Sequence, residues 1–228
     1  MSAHTHVAID PAILYFGTPV VLVSSRNPDG SANLAPMSSA WWLGTSCVLG
    51  FGARSATPAN IQRTGQCVLN LPSVQQSDLV NRLVRTTASD PVPPHKIAMG
   101  YAYEGEKFGR AGATALPGTA VDVPRVAECP VHLEAELEAV HPLAVRDPLR
   151  RGGLIALEMR IVAVHVAESI RLPGYAHRVD PDAWRPLIMS FQRLYGLGAP
   201  VESRLAEIPE EAYRKRAATV TRHAAPAA

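Results

Sequence analysis

Two short stretches carry residue types whose spacing can do chemistry. Asn33-Leu34-Ala35-Pro36-Met37-Ser38-Ser39 is a run of small and polar residues, where backbone can approach a flat ligand. Arg54-Ser55-Ala56-Thr57-Pro58-Ala59-Asn60-Ile61-Gln62-Arg63-Thr64-Gly65 reads as a strand end followed by a short helix. Thr57 suits the N-cap, since a hydroxyl there accepts a bond from an early helical N–H. Pro58 suits the first helical position, which needs no N–H donor, and Gly65 suits the C-terminal stop. A helix N-terminus with free N–H groups, preceded by an arginine and flanked by hydroxyls, is a ready anion site, and phosphate is the guest it fits.

The elements that must position these residues follow from pattern. Val20–Ser25 is a β-branched run, read as a strand, and Asn27-Pro28-Asp29-Gly30 is a turn that returns the chain into the Asn33 loop. Cys47–Ala53 is the next strand; its glycines at 50 and 52 permit close backbone approach. The helix Pro58–Thr64 and the strand Cys67–Leu71 come next. Ser77–Thr86 has a helical repeat of Leu79 with Leu83 and Val80 with Val84, capped by Ser73 or Ser77. Residues 88–126 are rich in Pro, Gly and Ala and lack periodicity; they read as an excursion over the surface, covering the ligand or a partner subunit. Val131, Leu133, Ala135 and Leu137 alternate with His132, Glu134, Glu136 and Glu138, a half-exposed strand whose polar face reads as solvated rather than metal-binding. Gly153–Val166 is a further strand. Trp41 and Trp42 should face opposite ways. Phe191 and Tyr195, four apart, would pair on a helix. Ser203–Arg216 reads as a polar helix and Thr219–Ala228 as a frayed tail. Six or so strands with few helices point to a small barrel or sandwich, as one domain over 1–228.

Composition narrows the function classes. A hydrophobic content of 47% and a net charge of +2 fit a globular protein and give no footprint for nucleic acid. No apolar run approaches the roughly 20 residues that span a bilayer. The N-terminus lacks the basic and apolar regions of a secretory signal, so a cytoplasmic location is expected. Cys47, Cys67 and Cys129 sit in strand-like apolar runs and read as buried, reduced thiols. The basic residues are overwhelmingly arginine; lysine occurs only at Lys96, Lys107 and Lys215. Gly50-Phe51-Gly52-Ala53-Arg54-Ser55 begins like a dinucleotide fingerprint but lacks its third glycine, and no Walker A loop or Gly-x-Ser-x-Gly elbow is present.

The order Asn-x-Ala-Pro-x-Ser at 33–38, the strand-like run 47–53, and Arg-Ser-x-Thr-x-x-Asn-Ile-x-x-Thr-Gly at 54–65 resembles the flavin reductase-like family of FMN-binding split-barrel proteins. Cys67–Leu71, Ala127-Glu128-Cys129-Pro130-Val131, Trp184-Arg185-Pro186-Leu187 and Tyr195-Gly196-Leu197-Gly198 continue the likeness, which spans roughly 13–198. Ala156-Leu157-Glu158-Met159 departs from it, since a glycine is expected before the acidic residue. The resemblance implies a mainly β fold, a Greek-key split β-barrel with a few peripheral α-helices. It implies that Asn33, Leu34, Ala35, Pro36, Met37, Ser38 and Ser39 meet the ribityl chain and ring edge of FMN. Arg54, Ser55, Ala56, Thr57 and Asn60 would then hold its phosphate. It further implies a homodimer with flavin near the interface, hydride donated by NADH or NADPH, and a possible monooxygenase partner that receives reduced flavin. The cofactor carries that chemistry, so no catalytic side chain and no metal ligand are assigned. An FMN-bound electron carrier, a reductase of another substrate, or a non-enzymatic binder of flavin or another phosphate ligand are the alternatives.

Overall fold

The computed structural model describes residues 4–201 together with Ser203 and Glu210. The polar helix and tail expected at 203–228 lie outside the described residues, apart from those two positions. The chain opens with β1 (Phe16–Pro19), β2 (Val21–Arg26), β3 (Ala32–Met37), β4 (Ala40–Leu43) and β5 (Ser46–Gly52). Helix α1 (Ala56–Thr64), β6 (Gln66–Leu71) and α2 (Ser77–Arg82) follow. The excursion holds β7 (Thr86–Thr87), α3 (Pro94–Ala98), β8 (Ala102–Tyr103), α4 (Lys107–Ala111), β9 (Ala115–Leu116) and β10 (Arg125–Val126). Two long strands, β11 (Val131–Pro142) and β12 (Leu154–Val166), precede the short hairpin β13 (Ile188–Ser190) and β14 (Arg193–Tyr195). All these elements belong to one unit that ends at Gly198; Ala199 begins a second grouping. No helix among the described residues is long and apolar enough to cross a membrane.

The organising layer is a seven-stranded antiparallel sheet in the order β3-β2-β6-β11-β12-β5-β4. Its two edge strands, β3 and β4, are consecutive in the chain and separated only by Ser38 and Ser39. The sheet must therefore curl until both edges meet at that dipeptide. The two edges do not pair with each other, so the sheet is not closed into a barrel. On one face Val21, Val23, Leu49, Leu69, Leu157 and Met159 bury fully against Ile61 of α1. On the other, Leu22 and Leu34 pack with Leu79, Val80, Leu83 and Phe108. Strand β2 thus needs apolar residues at consecutive positions, which its Val-Leu-Val run supplies. The three cysteines are buried and unpaired, as expected; burial pushes the Cys47 thiol up to about 12 and raises the other two further.

Several local expectations shift. The helix at 56–64 begins two residues earlier than the Thr57 cap predicts: Ser55 is the N-cap, in extended backbone. The Ser55 N–H closes a turn onto Gly52 O at 3.0 Å, and the Thr57 hydroxyl is engaged by Asn33 instead. Gly65 ends the helix as expected, at φ 74°, with its N–H on Ile61 O at 2.7 Å. The 77–86 helix is shorter than its repeat implies. Ser73 caps a 3-10 turn over Val74–Gln76 with a reciprocal capping box, and α2 stops at Arg82 before Arg85 enters the left-handed region at φ 58°. Phe191 and Tyr195 lie on no helix. Phe191 and Gln192 form the positive-φ turn of the β13–β14 hairpin, and Phe191 stacks edge-on against Phe16 at 4.6 Å between ring centroids. A four-residue spacing alone does not separate a helix turn from such a hairpin. Trp41 and Trp42 do face opposite ways: Trp41 is 55% exposed, whereas Trp42 packs on the core.

The largest correction concerns His132, Glu134 and Glu136. Their face of β11 is not solvated at its start, because the excursion folds over it. Glu134 is fully buried and His132 nearly so. The Glu134 carboxylate accepts the N–H groups of Thr119 at 2.9 Å and Val121 at 3.1 Å, that of Ala120, and the Thr119 hydroxyl at 3.0 Å. His165 Nε2 lies 2.8 Å away and Arg125 Nε 3.7 Å away. A loop laid over a sheet brings orphan backbone donors with it, and one inward carboxylate satisfies three of them. Farther along, Glu136 and Glu138 pair in the open, both with Arg160.

Candidate functional site

The two stretches singled out by sequence come together because a buried polar network clamps α1 onto β3. Asn33 Nδ2 donates to Thr57 Oγ1 at 3.0 Å and to Ser25 Oγ at 3.3 Å. Asn60 Nδ2 donates to Asn27 Oδ1 at 2.9 Å and to the same Ser25 Oγ at 3.2 Å. All of these groups are buried except the half-buried Asn27, so the bonds among Asn33, Thr57, Ser25 and Asn60 are shielded from water. The network fixes the N-terminus of α1 against the inner side of β3.

A cavity of about 710 Å³ opens at this junction. Asn33, Ala35, Pro36, Met37, Ser38, Ser55, Ala56 and Thr57 line it. Leu34, alternate to Asn33 and Ala35, is fully buried in the core instead. Ser39 lies outside the lining; its carbonyl accepts the Gly50 N–H at 2.8 Å, and a side chain at Gly50 would meet Ser39 Cβ at 3.1 Å. The close approach that Gly50 permits is therefore to protein backbone. Asn60 serves the clamp rather than the cavity wall. Arg54 is exposed at the turn before α1, outside the lining.

Within the cavity two features call for a ligand. Asn33 Oδ1 is buried without a hydrogen-bond partner, the one such side-chain atom among the described residues that belongs to a cavity-lining residue. An acceptor in that position needs a donor. Second, Ser55 makes no side-chain capping bond, so the first-turn N–H groups of Ala56 and Thr57 are open donors beside the cavity, and Pro58 contributes none. Ser38 is tied by its hydroxyl to Thr18 and to Pro19 O at 3.1 Å, so it shapes the wall and keeps only part of its bonding capacity. An open helix end plus an orphan amide acceptor fits a phosphate joined to a polyol or a heterocycle bearing N–H.

The rest of the wall was not anticipated. Arg85, Thr87, Lys96, Tyr101 and Lys107 come from the exit of α2 and from the excursion, and Gln192 from the β13–β14 turn. Lys96 Nζ donates to the buried Thr87 hydroxyl at 3.0 Å and sits 5.8 Å from the Tyr101 ring centroid. Lys107 is 3% exposed; burial, then the neighbouring Lys96 charge, push its pKa down to about 8 against the pull of Glu104. One signal was present in the sequence: in a chain that otherwise uses arginine, two of the lysines fall inside the aperiodic 88–126 segment.

The chain is similar to known proteins over most of its length. Residues 13–194 match the family described as flavin reductase like domain. An uncharacterized protein of Bacillus subtilis, YdfE, is 35% identical over 85% of this chain and 90% of its own length. In fold, the chain is similar to nitrilotriacetate monooxygenase component B from Bacillus cereus (TM-score 0.69, 21% identity, covering 88% of this chain and 100% of that one). It is also similar to flavoredoxin from Methanosarcina acetivorans (TM-score 0.67, 17% identity, covering 89% and 96%). With its strand order, its clamped helix start and the match over 13–194, the chain belongs to the flavin reductase-like family.

Proposed function

We propose that this protein is an FMN-binding oxidoreductase of the split-barrel kind, a flavin reductase that takes hydride from NADH or NADPH. The observation that carries the reading is the cavity in which the orphan Asn33 acceptor and the open N–H groups of Ala56 and Thr57 converge. In this reading the α1 N-terminus, with Ser55 and Arg54 beside it, takes the flavin phosphate. Asn33 Oδ1 accepts from a ribityl hydroxyl or ring N–H. Backbone of 35–38 lies along the flavin, with the Ser38 hydroxyl held by Thr18 and Pro19 so that the wall keeps its shape. When bound, the flavin supplies the hydride-accepting centre. The chain's own part is to bind it, orient it and leave one side open to the nicotinamide, because no dinucleotide-binding unit is present in the sequence.

Two finer points belong to the same proposal. The protein is a homodimer, which the strongly exposed Phe16, Trp41 and Leu43 support as surfaces for a second copy. It hands reduced flavin to a monooxygenase, a role supported by the likeness to a monooxygenase component B. The buried, unpaired cysteines support a reducing, cytoplasmic setting.

The assignment of the phosphate end is tested by comparing FMN with riboflavin in fluorescence titrations. Arg54→Ala is expected to weaken FMN binding by about 1.5 kcal/mol, the low end for a charge-assisted bond because the side chain is exposed. Riboflavin, which has no phosphate, should bind the variant and the parent alike. Unchanged FMN affinity removes Arg54 from the site.

A further inference from the structure

The cavity carries more positive charge than one flavin phosphate at the α1 N-terminus uses. Its lining includes Arg85, Lys96 and Lys107 and not one carboxylate. This imbalance is local: the whole chain has 22 lysines and arginines against 20 acidic residues. Elsewhere five described arginines pair with carboxylates, among them Arg26 with Asp122, Arg150 with Asp147, and Arg171 with Glu168. The three cavity cations form no ion pair with any described residue. Lys96 is left with a neutral hydroxyl and an aromatic face. Lys107 is 3% exposed and its charge meets no carboxylate among the described residues, an expensive arrangement unless an anion is there to meet it.

The backbone is committed to this wall as well. Arg85 sits at φ 58°, a left-handed conformation unfavourable for a side chain of its size, yet it lines the cavity. Gly100, itself at φ 78°, lies beside the Arg85 side chain: a Cβ there would sit in ordinary contact with Arg85 Nη1, at 3.5 Å. The parallel pairing of β7 with β8, Thr86 opposite Ala102, joins the segment after Arg85 to the segment after Lys96, so both cations are set by one small structure. These elements are distinct from β3 and α1, which supply the phosphate cradle.

We propose that Arg85, Lys96 and Lys107 form a second anion site in this cavity, for a carboxylate or phosphate group of the small molecule that meets the flavin. The proposal rests on the flavin reading for what lies next to that anion, but the cationic wall itself does not. Two sources share the chemistry: the phosphates of the nicotinamide dinucleotide, or the carboxylate of an organic substrate. A cavity wall of one charge sign raises the local concentration of either.

The test uses FMN-loaded protein and the Arg85→Gln/Lys96→Gln double variant, which removes two charges near the surface and leaves buried Lys107 in place. FMN affinity should stay within about twofold of the parent. Anaerobic flavin bleaching gives the half-saturating concentration of NADH and of NADPH, and benzoate is titrated against the flavin absorbance. At least one of these probes should weaken by about tenfold or more, as expected for lost charge-assisted bonds. Weaker dinucleotides with unchanged benzoate identify the phosphate source, and the converse identifies the carboxylate. If all three probes bind the variant like the parent, the proposal fails. It also fails if the variant loses FMN affinity and its preference for FMN over riboflavin, because the flavin's own phosphate then occupies the wall. Should the parent protein bind no FMN, the flavin reading falls, and calorimetry with inorganic pyrophosphate on the flavin-free protein decides the wall. Binding about tenfold weaker in the double variant sustains it, and equal affinities, or no binding to either protein, overturn it.

Discussion

Replacing Asn33 with leucine is expected to weaken FMN binding by about 3 kcal/mol, roughly a hundredfold in Kd. Both N–H bonds of this amide are made within the protein, to Thr57 and Ser25, and its carbonyl oxygen is left open in the cavity. Leucine removes the open acceptor and also the bond that seats Thr57, so the helix N-terminus loses its fixed position against β3. The control is His132→Ala. His132 is equally buried, but its Nε2 bonds Val126 O at 2.7 Å and it does not line the cavity. That variant should lose stability while its FMN affinity changes by less than about tenfold. Fluorescence quenching titrations of the two folded variants check this; similar losses of affinity in both would remove Asn33 from the site.

The second large effect concerns Glu134. Glu134→Ala should destabilise the fold by about 3 kcal/mol, because it leaves the buried Val121 N–H and the part-buried N–H groups of Thr119 and Ala120 without their acceptor. The same carboxylate gives a pH signature. Burial alone would raise its pKa, but the bonds from Ala120, Thr119 and Val121 outweigh this and hold it at about 2, below the ordinary 4.5. An acid with a depressed folded pKa contributes stability that is complete above its unfolded pKa. That contribution is lost as pH falls from there toward about 2. Urea midpoints measured from pH 6 downward should fall in the parent below about pH 4.5 and fall less steeply in Glu134→Gln, which cannot ionise. Parallel slopes would show that Glu134 is not the group holding the excursion down.

How much of this was legible in the sequence follows from which interactions are local. The turn at 27–30, the strands around 21–26, 47–52 and 67–71 and the glycine stop at 65 were readable because periodicity and turn chemistry act over a few residues. The proposed phosphate cradle was half readable. Ser55, Ala56 and Thr57 are contiguous, but Thr57 gives up its capping role to Asn33, 24 residues away, and no local rule contains that bond. Asn60, read from the sequence as a ligand contact, makes half of the clamp and does not line the cavity, for the same reason. The excursion was the least legible part. Its Pro, Gly and Ala carry no period, so nothing in the chain said that 119–121 would lie on Glu134 and turn an apparently wet strand face into a buried one. The same opacity hid Lys96 and Lys107, whose scarcity was visible and whose convergence on the cavity was not.

The central claim is that the cavity at the β3–α1 junction binds FMN and exposes it to a nicotinamide donor. Its most direct test is an anaerobic absorbance titration of the purified protein with FMN, followed by NADH and then by NADPH. The account predicts saturable binding of FMN and rapid bleaching of its absorbance by at least one of the two nucleotides. FMN that binds and is bleached by neither would contradict the reductase and leave a flavin-binding protein; FMN that does not bind at all would contradict the site.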